Sequence, residues 1–168
     1  MKLVYRFLWR LIGWKIIGDV PWQEKKYIII VAPHTSNLDF MIGVLARGVV
    51  GFDSKFLGKK SLFRPPFGWF FKLMGGYPVD RSKSTNLVDQ VVDLYNSHDR
   101  FVIALAPEGT RKNVTDWKTG FYYIAHKATI PIVRSKMDWK TKTVEFFEPF
   151  KTTGNIEKDL PLIKEVYT

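Results

Sequence analysis

A histidine and an aspartate separated by four residues, His34 and Asp39, form the pair in this sequence best suited to proton transfer. Ser36 between them is a good helix N-cap, so Asp39 is expected about one helical turn inside, on the side that can fold back toward His34. A carboxylate there can accept a hydrogen bond from one imidazole nitrogen and leave the other as a general base. Ser36 and Asp39 also form a capping-box pattern that requires no catalysis. From these residues alone both interpretations stay open.

A second polar cluster, Glu108-Gly109-Thr110-Arg111, contains the groups expected of an anion site. The guanidinium of Arg111 is suited to bidentate binding of a phosphate. Gly109 has no side chain and lets the backbone come close to a ligand. Glu108 either neutralises Arg111 or holds the turn.

Both clusters follow a continuous apolar run that is ended by a proline. The runs at 28–31 and 101–106 are typical of strands that a parallel sheet buries on both faces. Because the carboxyl ends of parallel strands meet at one edge, we expect His34 and the cluster at 108–111 to share a site there.

The whole pattern predicts an α/β fold: a single domain over residues 1–168, with a mostly parallel sheet flanked by helices and an N-terminal amphipathic helix. Glycines 48 and 51 are expected to end the helix that contains Asp39. Pro131 indicates an edge strand or a strand start. Further strands are predicted at 54–57, 130–133 and 143–147, helices at 39–47, 84–95 and 121–127, and a short or frayed helix at 156–167.

An aromatic-rich segment at 62–79 is predicted to contain a helix that begins at Pro65-Pro66 and ends at Gly75-Gly76. It carries too many large apolar residues for one narrow face, so it is either fully buried or lines an apolar groove. Burial alone is the more common explanation. The candidates for lining a groove are Phe63, Phe67, Trp69 and Phe70.

Residues 1–18 predict an amphipathic helix, with Lys2, Arg6 and Arg10 on one side and apolar residues on the other. The stretch is too short and too charged for a membrane span. We therefore expect it to lie in a membrane interface, with its tryptophans at headgroup depth. The alternative is a terminal helix that is docked on the domain.

Composition limits the function classes. The sequence contains no cysteine, which excludes a disulfide framework, a thiolate zinc site and a cysteine nucleophile. A formal net charge of +10 and an aromatic content of 15% suit an anionic partner with an apolar part: a phospholipid surface, an acidic carrier protein or nucleic acid. No histidine has metal-ligand spacing, and His98 and His126 are expected to be structural.

The sequence resembles the glycerolipid acyltransferase family typified by the bacterial 1-acyl-glycerol-3-phosphate acyltransferases. The resemblance covers 27–134 and rests on four blocks in order: H-x4-D at 34–39, an aromatic and basic block at 60–81, P-E-G-T-R at 107–111, and I-P-I-V at 130–133.

This resemblance implies transfer of a fatty acyl group from a thioester to the hydroxyl of a lysophospholipid in phospholipid biosynthesis. His34 would be the general base and Asp39 its support, with no metal and no cofactor beyond the co-substrate, acyl-CoA or acyl carrier protein. The implied location is peripheral, on anionic phospholipid at the cytoplasmic face of the membrane, with no nucleic acid partner. The residues implied to bind the acceptor and its phosphate are Glu108, Gly109, Thr110, Arg111, Arg81 and Lys60.

Three other functions stay open: acyl transfer to an aminolipid hydroxyl, hydrolysis of a thioester by the same His–Asp pair, and non-catalytic lipid binding. The acceptor could be a lysophosphatidate or another lysophospholipid.

Overall fold

The computed structural model describes residues 2–34, 36, 38–80, 84–109 and 116–167, with the backbone alone at 84–86. The helices are α1 (Lys2–Ile12), α2 (Leu38–Val50), α3 (Gly68–Leu73), α4 (Ser84–Ser97), α5 (Gly120–Ala128) and α6 (Ile156–Lys164). The strands are β1 (Lys15–Ile17), β2 (Lys26–Ala32), β3 (Ser54–Lys59), β4 (Gly76–Val79), β5 (Phe101–Leu105), β6 (Ile132–Asp138) and β7 (Thr143–Phe146).

The strands form one seven-stranded sheet in the order β1-β7-β6-β2-β5-β3-β4. The segment β6-β2-β5-β3-β4 is parallel throughout, and β7 is antiparallel to β6. The predicted mostly parallel α/β sheet is therefore confirmed. The carboxyl ends of β6, β2, β5, β3 and β4 lie at the same edge, which is where such sheets place their ligands.

Alternate residues of β2 enter two separate cores. Ile28 and Ile30 are fully buried in a cluster with residues of α4, α5 and α6, whereas Tyr27 and Ile29 belong to a cluster with α1 and α2. A strand with helices on both sides needs an apolar residue at every position, which explains the continuous run in the sequence.

Two strands differ from the sequence prediction. β6 begins after Pro131 and continues to Asp138, between β2 and β7, so the strand start was right and the edge strand was wrong. β4 was not predicted, because its first residue, Gly76, was expected only to end a helix. Its position at the edge of the sheet, paired with β3 alone, tolerates the missing amide hydrogen of Pro78.

The predicted helix over residues 1–18 was too long. α1 ends at Ile12, and Gly13 adopts a left-handed φ of 74° that a helix cannot continue. Lys15–Ile17 then pairs in parallel with β7 as strand β1. Two adjacent isoleucines favour this extended conformation, because branching at Cβ restricts their side chains in a helix.

The helix predicted between Pro65-Pro66 and Gly75-Gly76 is present but shorter, as α3. The chain forms a short 3-10 helix at Lys60–Phe63, the two-turn helix α3, and then β4. Pro65 and Pro66 each lack an amide hydrogen, which prevents one continuous helix. The prediction that the segment at 62–79 is fully buried is wrong, since Phe67 is 67% and Trp69 68% exposed.

α1 docks against α2 at Gly48. The expectation that Gly48 would end the helix was wrong, because α2 continues to Val50 before Gly51. A Cβ atom added at Gly48 would overlap the ring of Tyr5, so the missing side chain is what lets this ring lie against α2. One turn further along α1, Trp9 is buried in the same core as Ile42 and Ala46 of α2.

We expect Gly48→Ala to destabilise the protein by about 1–3 kcal/mol, the usual cost of overpacking. For a chain of this size each kcal/mol lowers Tm by roughly 2–4 °C. Gly43→Ala in the same helix is the matched control, since a Cβ at Gly43 meets nothing within 4 Å. Its better helix propensity should stabilise the protein by up to about 1 kcal/mol. Equal Tm changes in the two variants would contradict this docking.

Candidate active site

His34 lies just beyond the carboxyl end of β2. Its Nδ1 atom is 3.2 Å from Oδ2 of Asp39, and the two side chains are 25% and 1% exposed. Asp39 belongs to the first turn of α2. The strand and the helix thus bring together the two residues that the sequence predicted as a pair.

The capping interpretation is correct as well. The backbone N–H of Ser36 donates to Oδ2 of Asp39 at 2.7 Å, and that of Leu38 donates to Oγ of Ser36 at 3.1 Å. The two interpretations are therefore not alternatives. One carboxylate caps the helix and faces the imidazole.

This geometry fixes the proton on the imidazole. An ionised carboxylate can only accept hydrogen bonds, so Nδ1 carries the proton in the neutral ring. The lone pair is then on Nε2, the atom available to a substrate. A histidine held in this way can act as a general base.

Glu108 fixes the backbone of His34. The N–H of His34 donates to Oε2 of Glu108 at 2.7 Å, and Glu108 is only 6% exposed. β5, which precedes Glu108, is the parallel neighbour of β2. The prediction that both polar clusters share one edge is thus confirmed for Glu108. Its buried carboxylate is part of the turn beside His34, so the predicted contact with an acceptor phosphate gains no support.

Gly109 adopts a left-handed φ of 62°, and its N–H donates to the carbonyl of Ala106 at 3.2 Å. Lys118 packs beside it: a Cβ atom at Gly109 would lie 2.8 Å from Cδ of this lysine. The N–H of Lys118 also donates to the carbonyl of Pro107 at 2.8 Å. No local pattern in the sequence singles out this lysine. Thr110 and Arg111, predicted as phosphate ligands, lie outside the described residues.

Lys60 is exposed and directly follows β3, at the same edge of the sheet as Glu108. Arg81, predicted beside it, lies outside the described residues.

The predicted acyl-groove residues lie on and around α3. Phe67, Trp69 and Phe70 are 67%, 68% and 45% exposed. Phe63 is partly buried, and its ring lies against Phe71 and over Gly58. These exposures are those of an outward-facing helix, and the groove assignment stays a prediction.

Sequence reasoning missed Trp139. This residue occupies the turn between β6 and β7, and its indole Nε1–H donates to Oδ1 of Asp39 at 2.6 Å. Because β6 runs parallel to β2, its end meets the same edge. The strand predicted at 130–133 was too short to show this.

The turn itself is held by Asp138. Its carboxylate accepts from the N–H groups of Lys140 at 2.7 Å and Thr141 at 3.3 Å. The hydrogen bond from the Lys140 amide, followed by that from Thr141, holds the pKa of Asp138 below its usual value. The ring of Trp14 meets Trp139 edge to face, with centroids 5.0 Å apart.

An open cleft of about 430 Å³ lies next to Asp39. Leu38, the neighbour of Asp39, and its partner Trp139 both line it. The lining is mostly apolar: Leu11, Ile12, Trp14, Leu38, Met41, Ile42, Trp139 and the lysine Lys142.

The hydroxyl of Tyr167 links β6 to β2, two residues before the end of β2. It accepts from the N–H of Ser135 in β6 at 3.1 Å and donates to the carbonyl of Ile30 in β2 at 3.0 Å. Burial raises the pKa of this hydroxyl, which therefore stays protonated.

The other two histidines have partners away from Asp39. Nδ1 of His98 is 2.8 Å from the carbonyl of Leu94, and Nδ1 of His126 is 3.1 Å from Oγ1 of Thr152. In the part of the chain that the structure describes, no group of three or more His, Asp or Glu residues could hold a metal ion.

Comparison with known proteins identifies the family. Residues 15–135, which contain His34, Asp39 and Glu108, match the model of the Acyltransferase family. The chain belongs to the acyltransferase family. This confirms the resemblance predicted from the sequence, whereas the roles of the individual residues rest on their geometry.

One relative of this acyltransferase supports the assignment, and one solved structure shares the fold. The 1-acyl-sn-glycerol-3-phosphate acyltransferase of Saccharomyces cerevisiae is 36% identical over 129 residues, which cover 71% of this chain and 41% of the yeast protein. The chain thus spans less than half the length of that relative. The crystal structure of the 1-acyl-sn-glycerophosphate (LPA) acyltransferase PlsC from Thermotoga maritima has the same fold, with a TM-score of 0.69 at 18% identity, covering 98% of this chain and 74% of that one.

Proposed function

We propose that this acyltransferase moves a fatty acyl group from a thioester to the hydroxyl of a lysophospholipid, with 1-acyl-glycerol-3-phosphate as the first candidate acceptor. The observation that carries the proposal is the contact between His34 and Asp39, within the segment that matches the family. The yeast relative's name, 1-acyl-sn-glycerol-3-phosphate acyltransferase, supports the choice of acceptor.

One base is enough for the reaction: His34 first accepts a proton and later returns it. Nε2 of His34 takes the proton from the acceptor hydroxyl while its oxygen forms a bond to the thioester carbonyl carbon. The tetrahedral intermediate collapses with cleavage of the C–S bond, and the imidazolium returns the proton to the leaving thiolate. Asp39 stabilises the imidazolium between these steps. No acyl-enzyme and no cofactor are required, and acyl-CoA or acyl carrier protein supplies the thioester.

The acceptor phosphate is proposed to bind the cations along the carboxyl edge of the sheet. Lys60 follows β3, and Lys118 lies beside the turn at Gly109. Thr110, Arg111 and Arg81 are carried forward as candidates from the sequence, since a guanidinium can bind two phosphate oxygens at once.

The cleft beside Asp39 is our candidate for holding an acyl chain. It is mostly apolar, it opens to the surface, and Trp139 in its wall contacts Asp39. A chain bound there would have its reactive end near His34. The aromatic residues of α3 are less suited to hold an acyl chain, because they face outward.

α1 is our candidate for contact with an anionic membrane surface at the cytoplasmic face. Its inward positions Tyr5 and Trp9 meet α2, while an apolar stripe remains outside. Within the described ranges, no helix is both long and apolar enough to cross a bilayer. The outward residues are Leu3, Val4, Phe7, Leu8 and Leu11, flanked by the basic Lys2, Arg6 and Arg10.

We expect the double variant Leu3→Ser/Phe7→Ser to stay folded and to lose binding to anionic liposomes. The two side chains are 79% and 66% exposed in the free protein, so their loss leaves the core intact. Each contributes roughly 1.5–3 kcal/mol when it is fully buried in lipid. Sedimentation with liposomes should show a decrease of about a hundredfold or more. Leu162→Ser, at a 51% exposed position of α6, is the control.

High salt should weaken liposome binding of the unchanged protein without abolishing it, because salt screens the basic residues and not the apolar contact. Equal binding by the double variant would place the membrane contact elsewhere, with the exposed aromatic residues of α3 as the next surface to test.

The products distinguish the proposed function from its alternatives. The purified protein is incubated with acyl-CoA, or with acyl carrier protein loaded with a fatty acid, and a panel of lysophospholipids and one aminolipid. An acylated lysophospholipid supports the proposal. Acylation of the aminolipid alone would show that the aminolipid is the acceptor. Free fatty acid indicates a thioester hydrolase, and no product under any condition indicates lipid binding without catalysis.

A further inference from the structure

We propose that Trp139 is a positioning residue of the acyl transfer reaction, whose indole N–H fixes the orientation of the Asp39 carboxylate toward His34. This inference rests on the proposed function. Trp139 follows the segment that matches the family model, which ends at residue 135.

The two oxygens of Asp39 have different partners. Oδ2 faces Nδ1 of His34 and accepts from the N–H of Ser36. Oδ1 accepts from Nε1 of Trp139 at 2.6 Å. Donors on both oxygens fix the plane of the carboxylate. The indole thus decides which way Oδ2 points, although it lies 100 positions from Asp39 in the sequence.

Trp139 is itself held on several sides. The turn before and after it is closed by the bonds from the Lys140 and Thr141 amides to Asp138. Nζ of Lys142 donates to the carbonyl of Ile12 at 3.2 Å, which ties the turn to the end of α1. Trp14 packs edge-on against the indole. A donor that is fixed before substrate binds loses no ordering entropy during the reaction, as a positioning group requires.

Trp139→Phe keeps an aromatic ring and removes the N–H. We expect kcat to fall by about 10- to 100-fold, the range found when groups that orient a functional histidine are removed. The KM values for the thioester and for the acceptor should stay within about twofold, because phenylalanine keeps an apolar ring in the wall of the cleft and the carboxylate touches neither substrate. Trp22→Phe is the matched control, since it also removes an indole N–H that donates to a carboxylate, Oδ2 of Asp19 at 2.9 Å, and its kcat should stay near the wild-type value.

A double-mutant cycle tests whether Trp139 acts through Asp39. In an Asp39→Ala background the indole has lost its acceptor, so adding Trp139→Phe should change the residual kcat by less than about twofold. Equal fold-losses in the two backgrounds, or a rise of KM with unchanged kcat, would overturn the proposal and leave Trp139 only its role as a wall of the substrate cleft.

A readout without turnover uses the indole N–H itself. The chain has six tryptophans, and Trp139→Phe identifies its signal in the ¹H–¹⁵N spectrum. We expect this signal downfield of the other five and moved upfield by Asp39→Ala. An unmoved signal would overturn the hydrogen bond, and with it the proposal. Absence of transfer by the wild-type protein would instead overturn the proposed function, whatever the spectrum shows.

Discussion

His34→Ala should lower kcat by about 10²- to 10⁴-fold, the usual contribution of general acid–base catalysis. Without the imidazole, the hydroxyl proton has no acceptor at the position that Nε2 occupied. The acceptor lipid and the thioester should still bind. The residual rate should come from positioning of the two substrates. Initial rates at saturating thioester and acceptor measure this loss.

His126→Ala is the control, because this exposed histidine bonds to Thr152 away from Asp39 and should leave kcat unchanged. The Tm of His34→Ala should also stay close to that of the wild type, since the ring is partly exposed and adds little packing. A His34→Ala variant that kept more than about a tenth of the wild-type kcat would show that another group is the base.

Asp39→Asn should cost nearly as much as the loss of His34. An asparagine amide has one oxygen and one NH₂ group, and it cannot accept from His34, Ser36 and Trp139 in their present positions. If the NH₂ group faces Nδ1, the imidazole takes the other tautomer, with its proton on Nε2 and no lone pair toward the substrate. In serine proteases the same change lowers kcat by roughly 10⁴-fold.

The same variant separates catalysis from helix capping. Loss of the bond from the Ser36 N–H should destabilise the protein by about 0.5–2 kcal/mol, visible as a lower Tm. A control at Ser36 tests the capping contribution alone: Ser36→Ala removes the acceptor of the Leu38 N–H and should lower Tm with little change in kcat. If Asp39→Asn behaved like Ser36→Ala, the aspartate would be a cap only.

Local patterns in the sequence were enough to predict the centre of the fold and the pairing of His34 with Asp39. The run at 28–31 is apolar at every position because helices cover both faces of β2, and His34 and Asp39 lie within one strand–turn–helix unit. Glu108 could be placed next to them because β5 is the parallel neighbour of β2. In each case a short-range pattern and one rule of sheet geometry determine the answer.

The remaining features depend on contacts that no local pattern contains. The end of α1 is set by pairing of Lys15–Ile17 with β7, and Gly76–Val79 becomes a strand by pairing with β3. Trp139 reaches Asp39 only because β6 extends to residue 138 and carries the next turn to the site. A single tryptophan in a turn has no sequence signature of such a role.

The pairing of β1 with β7 has a mechanical consequence. The N–H of Lys15 donates to the carbonyl of Lys142, and only Gly13 and Trp14 separate α1 from the strand pair that leads to the turn with Trp139. A helix attached in this way cannot move independently of the sheet. If α1 lies in the lipid as proposed, the bilayer sets the height of His34 as well, and the acceptor must rise to the imidazole by its own motion within the leaflet. A stiff connection of this kind would also transmit a tilt of the helix to the indole, so the lipid beneath the protein would adjust the catalytic pair.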